Sequence, residues 1–313
     1  MEAGTHVTGA TPGARPLGVA KRRWGEEAIR ALLFLAALIS ILTTFGIVFA
    51  LVEESIPFFR EVGTDFFAFT DWAPLFNPPS FGIWQLLNGT FLITGIAILV
   101  AIPIGLGSAV YLSEYASPRV RRVVKPFLEV LVGVPTVVFG YFALTFVTPT
   151  ILQDILSVNV QIFNALAAGL VMGMMIVPTI ASISEDSMRA VPGGLREGAY
   201  GLGATKRQVA TRVVFPAAIS GIVASIVLGI SRGVGETMIV LVAAGLQPNF
   251  GINPTEGYAT VTTFMGATAK GDNPAGTIGY ESIFACGLTL FVLTLLMNMV
   301  AIRFVRKYRE VYE

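Results

Sequence analysis

Six stretches of this sequence are too long and too apolar to be anything but membrane spans. They cover about residues 29–52, 87–112, 126–148, 163–184, 217–245 and 282–305. A helix needs about 20 apolar residues to cross about 30 Å of hydrocarbon, and each run supplies that. In hydrocarbon the backbone must satisfy its own N–H and C=O groups, which for runs of this length means helix. Only 13% of the 313 residues are charged and the mean hydropathy is +0.73, whereas soluble domains carry about 25% charged residues. The expected fold class is an all-α integral membrane protein with six transmembrane helices.

Charge fixes the expected orientation. Of the 21 Lys and Arg residues, all but Arg60, Arg232 and Lys270 fall in four clusters: Arg15–Arg30, Arg119–Lys125, Arg189–Arg212 and Arg303–Arg309. Those clusters occupy the two tails and alternate loops. Basic residues accumulate on the cytoplasmic side, so both termini are expected there. Residues 1–28 are Gly/Thr/Pro/Ala-rich, lack apolar periodicity and read as a disordered cytoplasmic tail. The first run is longer than the apolar core of a signal peptide and has no small-residue cleavage site behind it, so it reads as an uncleaved span. With residues 29–86 goes an external segment rich in Phe, Trp and Pro, expected as an interfacial helix plus a loop packed on the outer face. The external loop 246–281 is expected to hold a short helix over about Thr255–Ala269. Residues 87–305 form the core, with a cytoplasmic loop over 185–216, and 306–313 a cytoplasmic tail. Pro103, Pro135 and Pro178 fall inside spans and are expected to kink them.

Several functions are excluded early. A net charge of +1 gives no basic surface for nucleic acid. The one histidine, His6, lies in the N-terminal tail, and the one cysteine, Cys286, sits in an apolar run. No His-based metal site, catalytic triad or internal disulfide is available, so no catalytic residue, metal or cofactor is expected. No GxxxxGK[ST] phosphate loop occurs; any ATP must be bound by another subunit.

One loop departs from the apolar pattern. Residues 197–216, EGAYGLGATKRQVATRVVFP, are polar and charged yet lie between two spans. Val191-Pro192 precedes them, and proline suits a helix start, which predicts a short helix over about Pro192–Tyr200. Gly201 and Gly203 allow a sharp turn, and a second helix follows over about Thr205–Val214. Gly198 and Ala199 would let a partner approach closely. The spacing of Glu197, Ala199, Gly203, Val213, Phe215 and Pro216 resembles the EAA loop of permease subunits in ATP-binding-cassette (ABC) importers. Gly198 stands where that pattern has its middle alanine. The resemblance implies a type I ABC importer permease fold. It also implies that this loop is a coupling helix docking into a groove of an ATPase subunit.

The fifth run holds SRGVGETMIV, with Arg232 and Glu236 four residues apart. On one continuous helix they would share a face, about 22 Å from its start and so near mid-membrane. Charges there cost about 2.5–3.5 kcal/mol each on insertion scales, so lipid exposure is disfavoured. Gly221, Ser225, Gly229, Arg232 and Glu236 fall within about an 80° arc of such a helix, a small-residue face suited to close packing. That face is expected where two permease subunits meet around a pathway. One reading is a self-neutralising pair that pins neighbouring helices. The other has Arg232 attract an oxyanion while Glu236 accepts a hydrogen bond from a protonated one, which favours phosphate over sulfate or molybdate.

R-x-x-GET-M, with the C-terminal FVRKYREVYE, is similar to the C-type permease subunit of phosphate-specific ABC importers. That resemblance covers about residues 30–313. It implies an A-type permease partner, two ATP-binding subunits on the cytoplasmic side, an external phosphate-binding protein, and residence in a bacterial or archaeal cytoplasmic membrane. In that family the in-membrane Arg and Glu are associated with phosphate passage, which carries to Arg232 and Glu236. Permeases for molybdate, sulfate or phosphonate share the loop. An ion-driven secondary transporter would show paired broken spans, and none is visible in the sequence. An intramembrane enzyme would need convergent reactive groups, and the spans hold no histidine.

Overall fold

The computed structural model describes residues 24–307 except 75, 272, 273 and 275. The expected tails lie largely outside these residues; residues 24–28 and 306–307 are helical. The chain divides into two units after Phe49. The first contributes the opening part of helix α1, Trp24–Val62. There Leu33, Phe45 and Phe49 are exposed, as suits a segment solvated by acyl chains. The helix runs to Val62 rather than stopping near Val52, because Glu53 and Glu54 are good helix formers and break nothing.

In the second unit a short α2, Asp65–Ala68, leads into an antiparallel ribbon of β1, Trp72–Ala73, and β2, Ser80–Phe81, with Trp72 opposite Phe81. The rings of Phe58, Phe66 and Phe81 meet edge to face at 5.2–5.4 Å. Trp72 joins them and packs on Phe264 at 4.7 Å. Each such pair contributes about 0.5–1.5 kcal/mol beyond its area. The aromatic segment is therefore a small core of its own, closed by Leu86, Val261 and Cys286.

Helix α3, Trp84–Val110, continues through a π-helical turn, Tyr111–Tyr115. Then come α4, Pro118–Val132, and α5, Thr136–Phe142, which passes into a π-helical stretch, Ala143–Ile155. Helix α6 is Ala165–Arg189, started by Asn164, whose side chain accepts from the Ala167 N–H at 2.7 Å. After the hairpin helices α7, Gly193–Gly201, α8, Lys206–Val209, and α9, Phe215–Ala217, come α10, Ile219–Val234, and α11, Met238–Ala243. Helix α12, Val261–Thr268, lies within the expected 255–269 stretch; Thr260 caps it, and residues 254–256 before it form a turn. Helix α13 is Ile278–Lys307.

Among the described residues five helices are long and apolar enough to cross a membrane. There are six if the pair Lys206–Ala217 and Ile219–Val234, bent by 71°, counts as one span. Two of the expected spans are corrected. The third begins at Thr136, not 126, and reaches Ile155. Residues 118–132 form the separate amphipathic α4: Ser117 caps it, Pro118 opens it, and Gly133 and Pro135 end it. Pro135 is thus outside a span, whereas Pro103 and Pro178 sit inside α3 and α6. The fifth span is not one helix over 217–245. It bends at Ala218 and breaks again at Gly235–Thr237.

The core is α3 against α6, with α10 on α6 and α11 on α5. A Cβ on Gly169 would come within 2.7 Å of Ile96, and one on Gly173 within 2.8 Å of the Ala97 carbonyl oxygen. Only glycine permits that approach, and close backbone contact is what holds helices together in lipid.

Candidate functional site in the hairpin and the broken fifth span

The hairpin forms as its residues predict, to within a residue or two. Helix α7 begins after Pro192 and ends at Gly201. The turn is made by Gly203, with φ +81°, while Gly201 remains helical. The Gly203 N–H donates to the Tyr200 carbonyl and the Ala204 N–H to the Ala199 carbonyl, which satisfies the end of α7. Thr205 starts α8 through a reciprocal capping box with Gln208. The chain then passes through a π-helical turn, Ala210–Val214, into α9, where Phe215 and Pro216 lie just before the bend. Val209, Val214 and Ala218 are buried with Ala109, Met188 and Val191 in a small apolar core. That core seats the hairpin on the ends of α3, α6 and α10.

The other face of the hairpin is open. Glu197, Gly198 and Pro216 are exposed, Ala199, Val213 and Phe215 are half-buried, and Leu202 at the tip is 91% exposed with Tyr200 beside it. A Cβ on Gly198 would meet nothing within 4 Å, so this chain itself does not require glycine there.

The charged pair is arranged otherwise than one helix would arrange it. Helix α10 ends at Val234, and Glu236 sits in the break. Its Oε1 accepts from the N–H groups of Met238 at 3.0 Å and Ile239 at 3.1 Å. These are otherwise unpaired donors of the first turn of α11. The Thr262 hydroxyl donates to the Glu236 carbonyl at 2.7 Å. Glu236 is 8% exposed and faces a narrow cleft shared with Thr90, Thr94 and Thr260. No ion pair joins it to Arg232 among the described residues. Arg232 is half-buried, and its Nη1 donates to the Thr179 hydroxyl on α6 at 3.3 Å. The small-residue face is close-packed, but within this chain: a Cβ on Gly229 would come within 2.9 Å of Ile176, and Ser225 hydrogen-bonds Ser184 at 2.8 Å. The expectation that this face meets a second subunit is thereby corrected. The stripe continues through buried Gly233, and Arg232 stands beside it.

Two charge clusters escaped the sequence reading. Glu185, fully buried near the end of α6, is contacted by Lys125 Nζ at 2.7 Å, Arg121 Nε at 3.4 Å and Arg189 Nε at 3.7 Å. Its Oε1 lies within ion-pair reach of the arginines but receives no hydrogen bond. Lys125 also pairs with Asp186. The second cluster joins Arg196 on α7 to Glu114 in the π-helical turn after α3, at 3.1 Å. The i, i+4 spacing of Arg121 and Lys125 opposite Glu185-Asp186 was a readable signal, but nothing in the sequence paired it across about 60 residues. For Arg196 and Glu114 the separation is 82 residues.

Residues 101–310 match the family model of the binding-protein-dependent transport system inner membrane component. The chain belongs to that family. A probable ABC transporter permease, YqgH of Bacillus subtilis, is 32% identical to this permease over 93% of it and 94% of the relative. The phosphate transport system permease PstC of Haemophilus influenzae is 30% identical over 92% and 95%. Among solved structures, a bacterial alginate ABC transporter in complex with an alginate-bound periplasmic protein superimposes with a TM-score of 0.64. It covers 94% of the permease and all of that chain at 15% identity, a likeness of fold alone. The permease thus has the type I ABC importer fold that its loop implied.

Proposed function

We propose that this permease is the C-type half of an ATP-driven importer of inorganic phosphate, working beside an A-type permease subunit. The observation that carries the reading is the broken fifth span. It leaves a half-buried guanidinium, Arg232, four residues from a carboxylate, Glu236, that it does not neutralise. No hydrogen bond from a described residue reaches Glu236 Oε2. Arg232 supplies attraction for an oxyanion, and guanidinium suits planar, multidentate recognition of one. Glu236 repels a fully deprotonated anion and accepts from a protonated one, and phosphate keeps a proton near neutral pH. Sulfate and molybdate do not. The similarity to phosphate transport permeases of the PstC type supports the same substrate.

The hairpin supports ATP coupling. Its apolar tip at Leu202 and Tyr200 is exposed although the chain has apolar surface of its own to bury it against. An ATPase groove on the cytoplasmic side accounts for that exposure. In the proposed cycle ATP closes two ATP-binding subunits and the hairpin moves with them. The spans then open outward to receive phosphate from an external binding protein. The chain performs no chemistry and holds no cofactor in this scheme.

The test is radiolabelled phosphate uptake by proteoliposomes holding the assembled complex, with ATP inside and binding protein outside. ATP-dependent accumulation is expected, unaffected by excess sulfate or molybdate. Arg232→Gln should reduce it about tenfold or more, the scale of a lost charge-assisted hydrogen bond. Transport of sulfate or molybdate in phosphate's place, or uptake without ATP, would defeat the proposal.

A further inference from the structure

We infer that Arg196 is a positioning residue for energy coupling: it pins the hairpin to the ends of two spans, so that a push on α7 moves both together. The inference rests on the reading of the hairpin as the ATPase-facing element.

Arg196 lies on the first turns of α7, directly before exposed Glu197. Its side chain is turned the other way, into the permease, and is only 20% exposed. Nη1 donates to the Val191 carbonyl at 2.6 Å and Nη2 to the Met188 carbonyl at 2.7 Å. Met188 lies in the last turn of α6 and Val191 two residues past its end, where the dipole favours a cation. Nη2 also meets Glu114 Oε1 at 3.1 Å. Glu114 is 7% exposed and belongs to the π-helical turn that ends α3. One planar guanidinium therefore bridges α7, α6 and the end of α3, with donors directed at three acceptors at once. Lysine has no equivalent fork.

The surroundings agree with a load-transmitting role. The Lys206 ammonium lies 5.1 Å from the Tyr115 ring centroid, so the second arm of the hairpin touches the same turn after α3. The apolar core beneath, with Ala109, Met188, Val191 and Val209, involves the same elements. α3 and α6 are themselves the most closely packed pair, fused by the approaches at Gly169 and Gly173. Those two helices move as one body, and Arg196 ties that body to the hairpin. Helix α10, which carries Arg232, packs on α6. The tie thus reaches the candidate substrate residues through α6 as well as through the chain at Pro216. Glu185 holds α4 to α6 nearby without touching the hairpin, which makes it an internal control for ion pairs that stabilise without coupling.

The test compares ATP hydrolysed with phosphate imported, in the assembled complex, for the native permease, Arg196→Gln, Arg196→Lys and Glu114→Leu. The expected result is a complex that keeps its ATPase subunits and hydrolyses ATP, with the ratio of ATP spent to phosphate moved about tenfold higher in Arg196→Gln, the scale of lost charge-assisted hydrogen bonds. Arg196→Lys should be intermediate. An unchanged ratio, with uptake and hydrolysis falling in parallel or not at all, overturns the inference. Should Arg196→Gln fail to assemble, Glu114→Leu decides, because it removes the acceptor on the α3 side and leaves both carbonyl bonds in place. A raised ratio there supports the pin, and an unchanged one overturns it. Native complexes without ATP-dependent uptake would defeat the transport reading itself, before any variant is compared.

Discussion

At the scale of single residues, two buried carboxylates act in different ways. Glu185 balances a cluster of cations. Glu185→Gln keeps the shape but leaves Lys125 with Asp186 as its remaining carboxylate and Arg121 with only the Leu112 and Ser113 carbonyls. Breaking a buried pair costs about 3–5 kcal/mol, and the lower end applies because both cations keep some solvent. Cys286 offers the readout: it is the only cysteine and fully buried, so a thiol-reactive dye reports unfolding. The midpoint of dye labelling on heating should fall by several degrees. Glu236 works through the backbone. Glu236→Ala removes the acceptor for two N–H groups and should lower stability by about 1 kcal/mol, as capping losses do. Glu236→Gln retains an amide oxygen for the same N–H groups. Its midpoint in the same assay should stay close to native while phosphate uptake falls, separating the cap from the charge.

At the scale of elements, the hairpin and α4 illustrate how local chemistry sets boundaries. The turn at Gly203 needs a positive φ, which costs a non-glycine residue about 1–2 kcal/mol and a β-branched one more. Gly203→Val should therefore disrupt the hairpin and abolish co-purification of the ATPase subunits. Gly198→Ala meets open space and restores the alanine of the family pattern, so binding and uptake should remain within about twofold of native, the range of surface substitutions. The same comparison measures how closely the partner approaches. The second half of helix α4 was hidden inside the apolar run 126–148, where Phe127 and Val130 continue the pattern of Val120 and Val123. On the helix those residues lie exposed on one side, while Arg121 and Lys125 reach α6 on the other.

For the whole molecule, the ion cluster predicts a pH dependence. Burial lowers the Lys125 pKa, but hydrogen bonds to Asp186 and Glu185 outweigh that and raise it above its ordinary 10.5. A group whose pKa is raised on folding stabilises the fold below its unfolded pKa, and that stability is lost as pH rises through the folded value. The contribution of Lys125 should thus be constant across the neutral range and decline only above about pH 10.5. Thermal midpoints taken between pH 7 and 11 should show that alkaline decline, and Lys125→Met should flatten it.

The sequence by itself determined the solvent, the number of spans and the hairpin. Run length against bilayer thickness decides spanning, and glycine and proline decide turns, both of which are local properties. It did not show the break at Gly235–Thr237, because Gly-Glu-Thr is compatible with helix until a buried carboxylate is needed to receive the N–H groups of α11. It did not reveal where the small-residue face of α10 packs, since any helix with complementary ridges would fit it; the fold chose α6. Nor did it join Arg196 to Glu114, or Glu185 to Lys125. Charges so far apart along the chain acquire partners only when helices are brought side by side. That pairing, and with it the route from hairpin to spans, was decided by the tertiary structure.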